Sequence, residues 1–286
     1  MKNRLVLLLP FVLLSLVSCN NNSSSSDTDT STTSDTSTTS DTSSTSTGTS
    51  YPDPSNYYSS ITDDMTGGVN GTLRQALTAL IKPKAYYNYS GTSAGTLGKE
   101  LCNIDEDPNN SSNMYLFYIN QSIKKVVSDA NTGWNREHCW PQANSGGLYG
   151  TTGGGADLLH IRPTLTKTNS KRGNYKYGVS TNSTMLIETY LGKSYQYGKC
   201  GSYFEPLDAV KGDAARISFY MYVCYFAERG TSFTNNFQSI SLAVQWAKND
   251  APSDIEKSRN EKAYASVQKN RNPFVDHPEW VAKIFG

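Results

Sequence analysis

Leu73, Leu77 and Leu80 recur at helical spacing within TLRQALTALI, so Thr72 to Ile81 is predicted as an amphipathic helix laid on a core. The run MYLFYI, Met114 to Ile119, is short, aromatic and β-branched, which predicts a strand. Asp213 to Glu228 is apolar on nearly every side and predicts a buried helix. Ile240, Val244 and Ala247 mark another helix by their spacing, and Ser253 to Glu256 spells a capping box that opens a third, directly after Pro252. Between these blocks, Trp134 to Pro141 follows the turn signal Asn131-Thr132-Gly133 and predicts a strand. A mobile-looking Gly-rich stretch, Ser145 to Gly155, leads to Asp157 to Pro163, a second predicted strand ended by its proline. TLTKTNSKR, from Thr164, then predicts a helix closed by Gly173. The middle of the chain therefore reads strand, long loop, strand, helix.

The ends of the pattern concern targeting. Lys2 and Arg4 precede a 13-residue, mostly apolar run from Leu5 to Val17. That suits an export signal and is too short to span a bilayer, which takes roughly 20 residues. It ends Leu16-Val17-Ser18-Cys19, which resembles a lipobox, so residues 1–18 are expected to be a lipoprotein signal peptide and Cys19 the lipidated N-terminus. Residues 20 to 50 hold no aliphatic or aromatic side chain and cannot repay the entropy of ordering, so residues 19–50 are expected to be a disordered Ser/Thr/Asp-rich tether. The chain is expected outside the cytoplasm, held to the membrane by lipid or released, and no protein partner is inferred.

Within residues 51–286, 24 Lys and Arg face 21 Asp and Glu, a balance of +3 that excludes a bulk polycation. Charge is instead local: between His160 and Cys200, seven cations (Arg162, Lys167, Lys171, Arg172, Lys176, Lys193 and Lys199) face the single acid Glu188. Cys102, Cys139, Cys200 and Cys224 allow three full disulfide pairings, among which the sequence does not choose. Cys224 lies in an apolar run and reads as a buried small hydrophobe.

Two of the three histidines, His138 and His160, fall in the middle unit. A neutral imidazole is the usual general base near neutral pH. Glu137 adjoins His138, and Asn169 lies on the helix that follows. A carboxylate and an amide oxygen are hard ligands suited to Mg²⁺, so these residue types together suit phosphodiester hydrolysis. Adjacent strand residues face opposite ways, however, so a bulge is expected at Glu137 and His138. No H-E-x-x-H or H-x-x-E-H pattern points to a zinc protease, and no Lys-Ser/Thr follows Gly153 to Gly155 to make a phosphate loop.

The strings NREHCWPQ (Asn135 to Gln142), DLLHIRPT, TNSKRGNYKYG (Thr168 to Gly178), FEPLDAVKGDAAR (Phe204 to Arg216) and NRNPFVDHPEW (Asn270 to Trp280) resemble, in order, the bacterial endonuclease I family of secreted ββα-metal, or His-Me finger, nucleases. DEDPNN at Asp105 to Asn110 also resembles it, so the likeness runs from about Tyr57 to Phe285. It implies an α+β fold, a His-Me finger (ββα-metal) core embedded in a mainly helical mixed domain, with residues 51–286 as the catalytic domain. It further implies His138 as general base, Glu137 and Asn169 as ligands of one divalent ion, usually Mg²⁺, and DNA or RNA as substrate, cut with little sequence preference to leave 5′-phosphate ends. A family histidine in the second strand is displaced here by one place, with Leu159 at its position and His160 next, so His160 is expected to be structural. His277 reads as a local hydrogen-bonding residue. Some members carry a phosphate-binding arginine between the two strands, yet Cys139 to Ala156 holds neither Arg nor Lys. Arg172, which shares a helix face with Asn169, is the first choice for that role and Arg162 the second. The alternative is a non-catalytic nucleic-acid-binding or adhesive surface lipoprotein on the same scaffold.

Overall fold

The structure, a computed structural model, describes residues 54–126, 133–147 and 149–286. The expected signal peptide, Cys19, the tether, and Asn131 and Thr132 of the turn signal lie outside the described residues. No helix among the described residues is long and apolar enough to cross a membrane. The architecture is mixed α+β. In chain order the elements are α1 (Thr72–Leu80), α2 (Leu97–Ile104), β1 (Glu106–Asp107), β2 (Asn110–Leu116), β3 (Gln121–Lys124), β4 (Trp134–His138), β5 (Ile161–Leu165) and α3 (Thr166–Arg172). Then come β6 (Leu186–Tyr190), β7 (Lys193–Cys200), β8 (Phe204–Glu205), α4 (Asp208–Met221), α5 (Ile240–Asn249), α6 (Asp254–Ala265), α7 (Pro273–Asp276) and α8 (Glu279–Phe285). The strands form three small antiparallel sheets, β1-β2-β3, β4-β5 and β6-β7-β8.

Several boundaries move for identifiable reasons. The strand expected at Met114 to Ile119 ends at Leu116, and Asn120 takes a positive φ of 47° that turns the chain into β3. The buried helix opens earlier, at Asp208, and beyond Met221 it widens into a π-turn over Tyr222–Phe226. The second strand of the middle unit starts at Ile161 and runs through Pro163 to Leu165. Proline is tolerated there because Pro163 pairs with Arg136 while its carbonyl points outward, accepting from the Phe117 amide at 2.8 Å. In an antiparallel strand N–H and C=O of one residue point the same way, so the missing N–H removes no bond to β4. The capping box is formed as spelled: Glu256 N–H donates to Ser253 Oγ and Ser253 N–H to Glu256 Oε2, both at 3.2 Å.

The apolar core gathers around α4, where Phe219 stacks on Phe233 and Phe285. Beneath the middle unit lies a buried ionic network. Asp105 receives Arg259 Nε at 2.9 Å and lies 3.2 Å from Arg162 Nε, while Arg162 also reaches Asp213 at 3.7 Å. Arg259 donates to the Ile161 carbonyl at 2.6 Å, and Arg216 forks onto both oxygens of Glu256 at 2.8 and 2.5 Å. These bonds tie β5 to α4 and α6. Breaking one partner out of such a pair strands a buried charge, at a cost of about 3–5 kcal/mol. Arg216→Ala is therefore expected to destabilise the fold by that amount, read as a lowered midpoint in urea unfolding with an unchanged slope.

Candidate active site

The middle unit holds β4 and β5 in unbroken register, from Trp134 opposite Leu165 to His138 opposite Ile161. The bulge expected at Glu137 and His138 is absent. Asn135 and Glu137 project from one face of β4, Arg136 and His138 from the other. Because the sheet has only two strands, the second edge of β4 is open, and α3 closes it. The Asn169 amide donates to Asn135 Oδ1 at 2.5 Å and to the Arg136 carbonyl at 3.4 Å. Arg172 donates to the Cys139 carbonyl at 2.9 Å, the Gly173 carbonyl at 3.0 Å and, at 3.5 Å, the His138 carbonyl. A cleft of about 220 Å³ wraps this edge, lined among others by Arg136, Glu137, His138, Gln142, Asn169 and Arg172. Neighbouring residues of a regular strand thus reach one cleft from opposite faces, because the cleft lies around the strand's rim.

α3 is oriented by an acid that the basic stretch leaves otherwise isolated. No side chain of Leu165 caps the helix; instead Glu188 of β6 accepts from the Thr168 amide at 2.7 Å and its hydroxyl at 2.6 Å. A carboxylate there also complements the helix dipole.

On the Glu137 side, Oε1 accepts from the Tyr118 hydroxyl at 2.6 Å, and that hydroxyl lies 2.6 Å from the hydroxyl of Tyr177. Arg172 Nε lies 3.3 Å from the same Oε1, close enough for an ion pair but without hydrogen-bond alignment. The guanidinium also sits over the Tyr177 ring at 4.8 Å. Burial pushes the Glu137 carboxyl above its usual range, while Arg172 and the Tyr118 hydroxyl pull it back.

On the His138 side, burial holds the imidazole below its ordinary 6.5, to about 4, and the Arg172 charge pushes the same way. Gly155 and Gly150 backbone groups oppose that shift. The ring is therefore neutral at pH 7. Gln142 Nε2 donates to the Gly150 carbonyl at 2.6 Å, which fixes the amide's orientation, and lies 3.2 Å from His138 Nε2. An amide NH₂ only donates, so Nε2 is the ring nitrogen that keeps its lone pair.

The described residues between Ser145 and Gly155 are fastened rather than loose. Tyr149 donates its hydroxyl to the Trp140 carbonyl, and Gly155 packs so closely that a Cβ would lie 1.9 Å from the Gly150 carbonyl oxygen. His160 accepts from the Trp140 amide at 2.9 Å through Nε2 and bonds the Gly154 carbonyl at 2.6 Å through Nδ1. With both nitrogens committed, this fully buried ring is a staple between the bend after β4 and the glycines, and Leu159 beside it is core.

The structure brings His138, Glu137, Asn169 and Arg172 to one cleft but not Arg162, which is held in the ionic network. Arg172 lines the cleft, yet it is fully buried with its donors turned to Glu137 and three carbonyls, so it serves as a clamp on the end of β4. His277 bonds Glu279 at 3.0 Å and stacks on Trp280, away from the cleft. Cys102, Cys139, Cys200 and Cys224 are all buried and none is in a disulfide, so none of the three arrangements is formed. Asn135, Gln142 and Tyr118 were not singled out by sequence. Asn135 and Gln142 bracket the NREHCWPQ string, and Asn135 shares the Glu137 face by its spacing of two; Tyr118 carries no such signal.

Among the described residues no group of three or more His, Cys, Asp or Glu gathers to hold a metal. The donor set still suits a hard ion that keeps most of its waters: Glu137 Oε2 and Asn169 Oδ1 carry no protein donor among the described residues, and both residues line the cleft.

Residues 70–279 match the family model described as Endonuclease I. An extracellular ribonuclease of Bacillus subtilis (strain 168) is 36% identical over 248 residues, covering 82% of this chain and 80% of that protein. An extracellular ribonuclease of Bacillus amyloliquefaciens is 34% identical over 271 residues, covering 82% of this chain and 90% of that protein. The chain belongs to the endonuclease I family. It is thus a nuclease, an enzyme that hydrolyses nucleic acid.

Removing the staple tests the cleft's support. His160→Ala leaves the buried Trp140 amide without its acceptor, a penalty of about 1–3 kcal/mol. Thermal unfolding should register that loss, together with a fall in nuclease activity as the His138 backbone loosens.

Proposed function

We propose that this chain is a secreted, metal-dependent endonuclease that hydrolyses phosphodiester bonds of DNA or RNA with little sequence preference and leaves 5′-phosphate ends. The strand, long connection, strand and helix of β4, β5 and α3 are read as a His-Me finger core. The observation that carries the reading is the neutral His138 ring sharing one cleft with the oxygens of Glu137 and Asn169. The extracellular location named for both Bacillus relatives supports export, and their naming as ribonucleases supports RNA among the substrates. A lipid on Cys19 and the tether of residues 19–50 would hold the enzyme at the membrane surface.

In this mechanism His138 takes a proton from the attacking water on Nε2, the unprotonated nitrogen on which water would replace the Gln142 amide as donor, a task for which its neutral state at pH 7 is required. Gln142 holds the ring's plane, and the shared bend through Cys139 and Trp140 keeps it facing the cleft. Glu137 Oε2 and Asn169 Oδ1 would hold one divalent ion, Mg²⁺ by the hardness of the set. That ion, when bound, supplies Lewis-acid polarisation of the phosphate and neutralises the leaving oxygen. Contacts to a phosphate backbone carry no base information, which accounts for weak sequence preference.

Plasmid nicking and RNA degradation, each with and without EDTA, test the reading. Chelation should abolish both. His138→Ala should lower the rate by about 10²–10⁴-fold with the fold intact, as loss of a general base does; undiminished cutting would remove the assignment. Asn169→Ala should raise the Mg²⁺ concentration for half-maximal rate by roughly tenfold or more, since loss of even an outer-shell partner has that effect. An unchanged titration would exclude Asn169 as a ligand.

A further inference from the structure

With Arg162 in the ionic network and Arg172 turned to backbone carbonyls, the cleft still has a second arginine on its wall. Arg136 stands two residues before His138 and so projects from the same face of β4. Tyr89 lies across both: the Arg136 guanidinium is 4.5 Å from its ring centroid, and the His138 imidazole stacks on it at 5.9 Å with planes 27° apart. The Tyr89 carbonyl accepts from Arg136 Nη1 at 3.1 Å. Among the described residues no carboxylate lies within ion-pair distance of Arg136, in contrast to Arg74, Arg162, Arg172, Arg216, Arg259 and Arg271.

We infer that Arg136, oriented by Tyr89, is the residue of this chain that grips a substrate phosphate on the His138 side of the cleft. The inference rests on the reading of the cleft as a phosphodiester-hydrolysing centre. Three observations carry it. The connection from Cys139 to Ala156 contains no Lys or Arg, so no cation reaches the cleft from that side. The charge of Arg172 is opposed by Glu137 at 3.3 Å, whereas that of Arg136 is opposed by no described carboxylate. The face of Tyr89 and its carbonyl fix one side of the guanidinium, leaving the remaining N–H donors of the fork for the two oxygens of a phosphate. Polyanionic substrate is the chemistry this arrangement recognises.

The test uses the whole exported chain. Affinity for a fluorescent single-stranded oligonucleotide is measured against salt in His138→Ala, His138→Ala/Arg136→Gln and His138→Ala/Arg136→Lys, and cleavage is measured for Arg136→Gln and Arg136→Lys with His138 present. Loss of one phosphate contact should reduce the slope of log affinity against log salt by about one. Arg136→Gln should lower kcat/KM by about 10²-fold, the size of losing one charge-stabilising donor. Arg136→Lys, which keeps the charge without the fork, should retain the salt slope and recover part of the rate. An unchanged slope with wild-type cleavage in Arg136→Gln overturns the inference, as does equal loss in both variants with an unchanged slope, which marks a purely structural residue. If wild type neither binds nor cuts, the reading of the cleft falls and the inference with it; wild-type cutting beside an unaffected Arg136→Gln removes the inference alone.

Discussion

The site depends on one buried guanidinium. Arg172 leaves the last turn of α3 and reaches the Glu137 carboxylate and the carbonyls of His138 and Cys139, three consecutive residues where β4 ends. A two-stranded sheet leaves half of each strand's backbone groups without ladder partners, and buried carbonyls of that kind must be paired. Arg172 and Asn169 meet this need along the open edge of β4, and by doing so they fix α3 at the distance from which Asn169 faces Glu137. The requirement to satisfy an edge strand and the requirement to assemble a site are met by the same two side chains.

The two sides of the cleft are kept electrostatically different. At Glu137 burial raises the carboxyl, while the arginine and the tyrosine hydroxyl at Oε1 favour its ionised form. His138 lies among rings and backbone, between Tyr89, Tyr149 and His160, where burial disfavours the imidazolium. A ring that resists protonation and a carboxylate that tolerates a cation are the two properties the proposed hydrolysis needs at adjacent positions. Deeper in the fold, the network around Asp105, Arg162 and Arg259 holds β5, and through it the register of β4.

Much of the scaffold was legible because it follows periodicity: α1 and the capping box at Ser253 fall where apolar spacing and cap chemistry put them, and the long buried helix is present with its start moved to Asp208. The order strand, loop, strand, helix was legible from turn residues, and the motif strings identified the residues that meet in the cleft. Pro163 misled, because whether a proline ends a strand depends on which side its nitrogen faces, a fact of pairing rather than of sequence. The expected bulge misled for a related reason: alternation of faces forbids a shared site on a broad sheet but not around the rim of a two-stranded one. Arg162 and Arg172 were indistinguishable from substrate-binding arginines, since their partners Asp105, Asp213 and the β4 carbonyls are distant in sequence. Arg136, adjoining Glu137, was not singled out by sequence; only Tyr89, far along the chain, gives it a fixed place.

The central claim is that the rim of β4 gathers a cation site and an unprotonated imidazole nitrogen into one cleft. Anomalous diffraction from a crystal soaked in Mn²⁺ tests it most directly. The account predicts a single strong peak in contact with oxygens of both Glu137 and Asn169, with His138 Nε2 facing the same solvent-filled space. A peak bound elsewhere, or an imidazole rotated out of that space with Glu137 closed off by Arg172 alone, would contradict it.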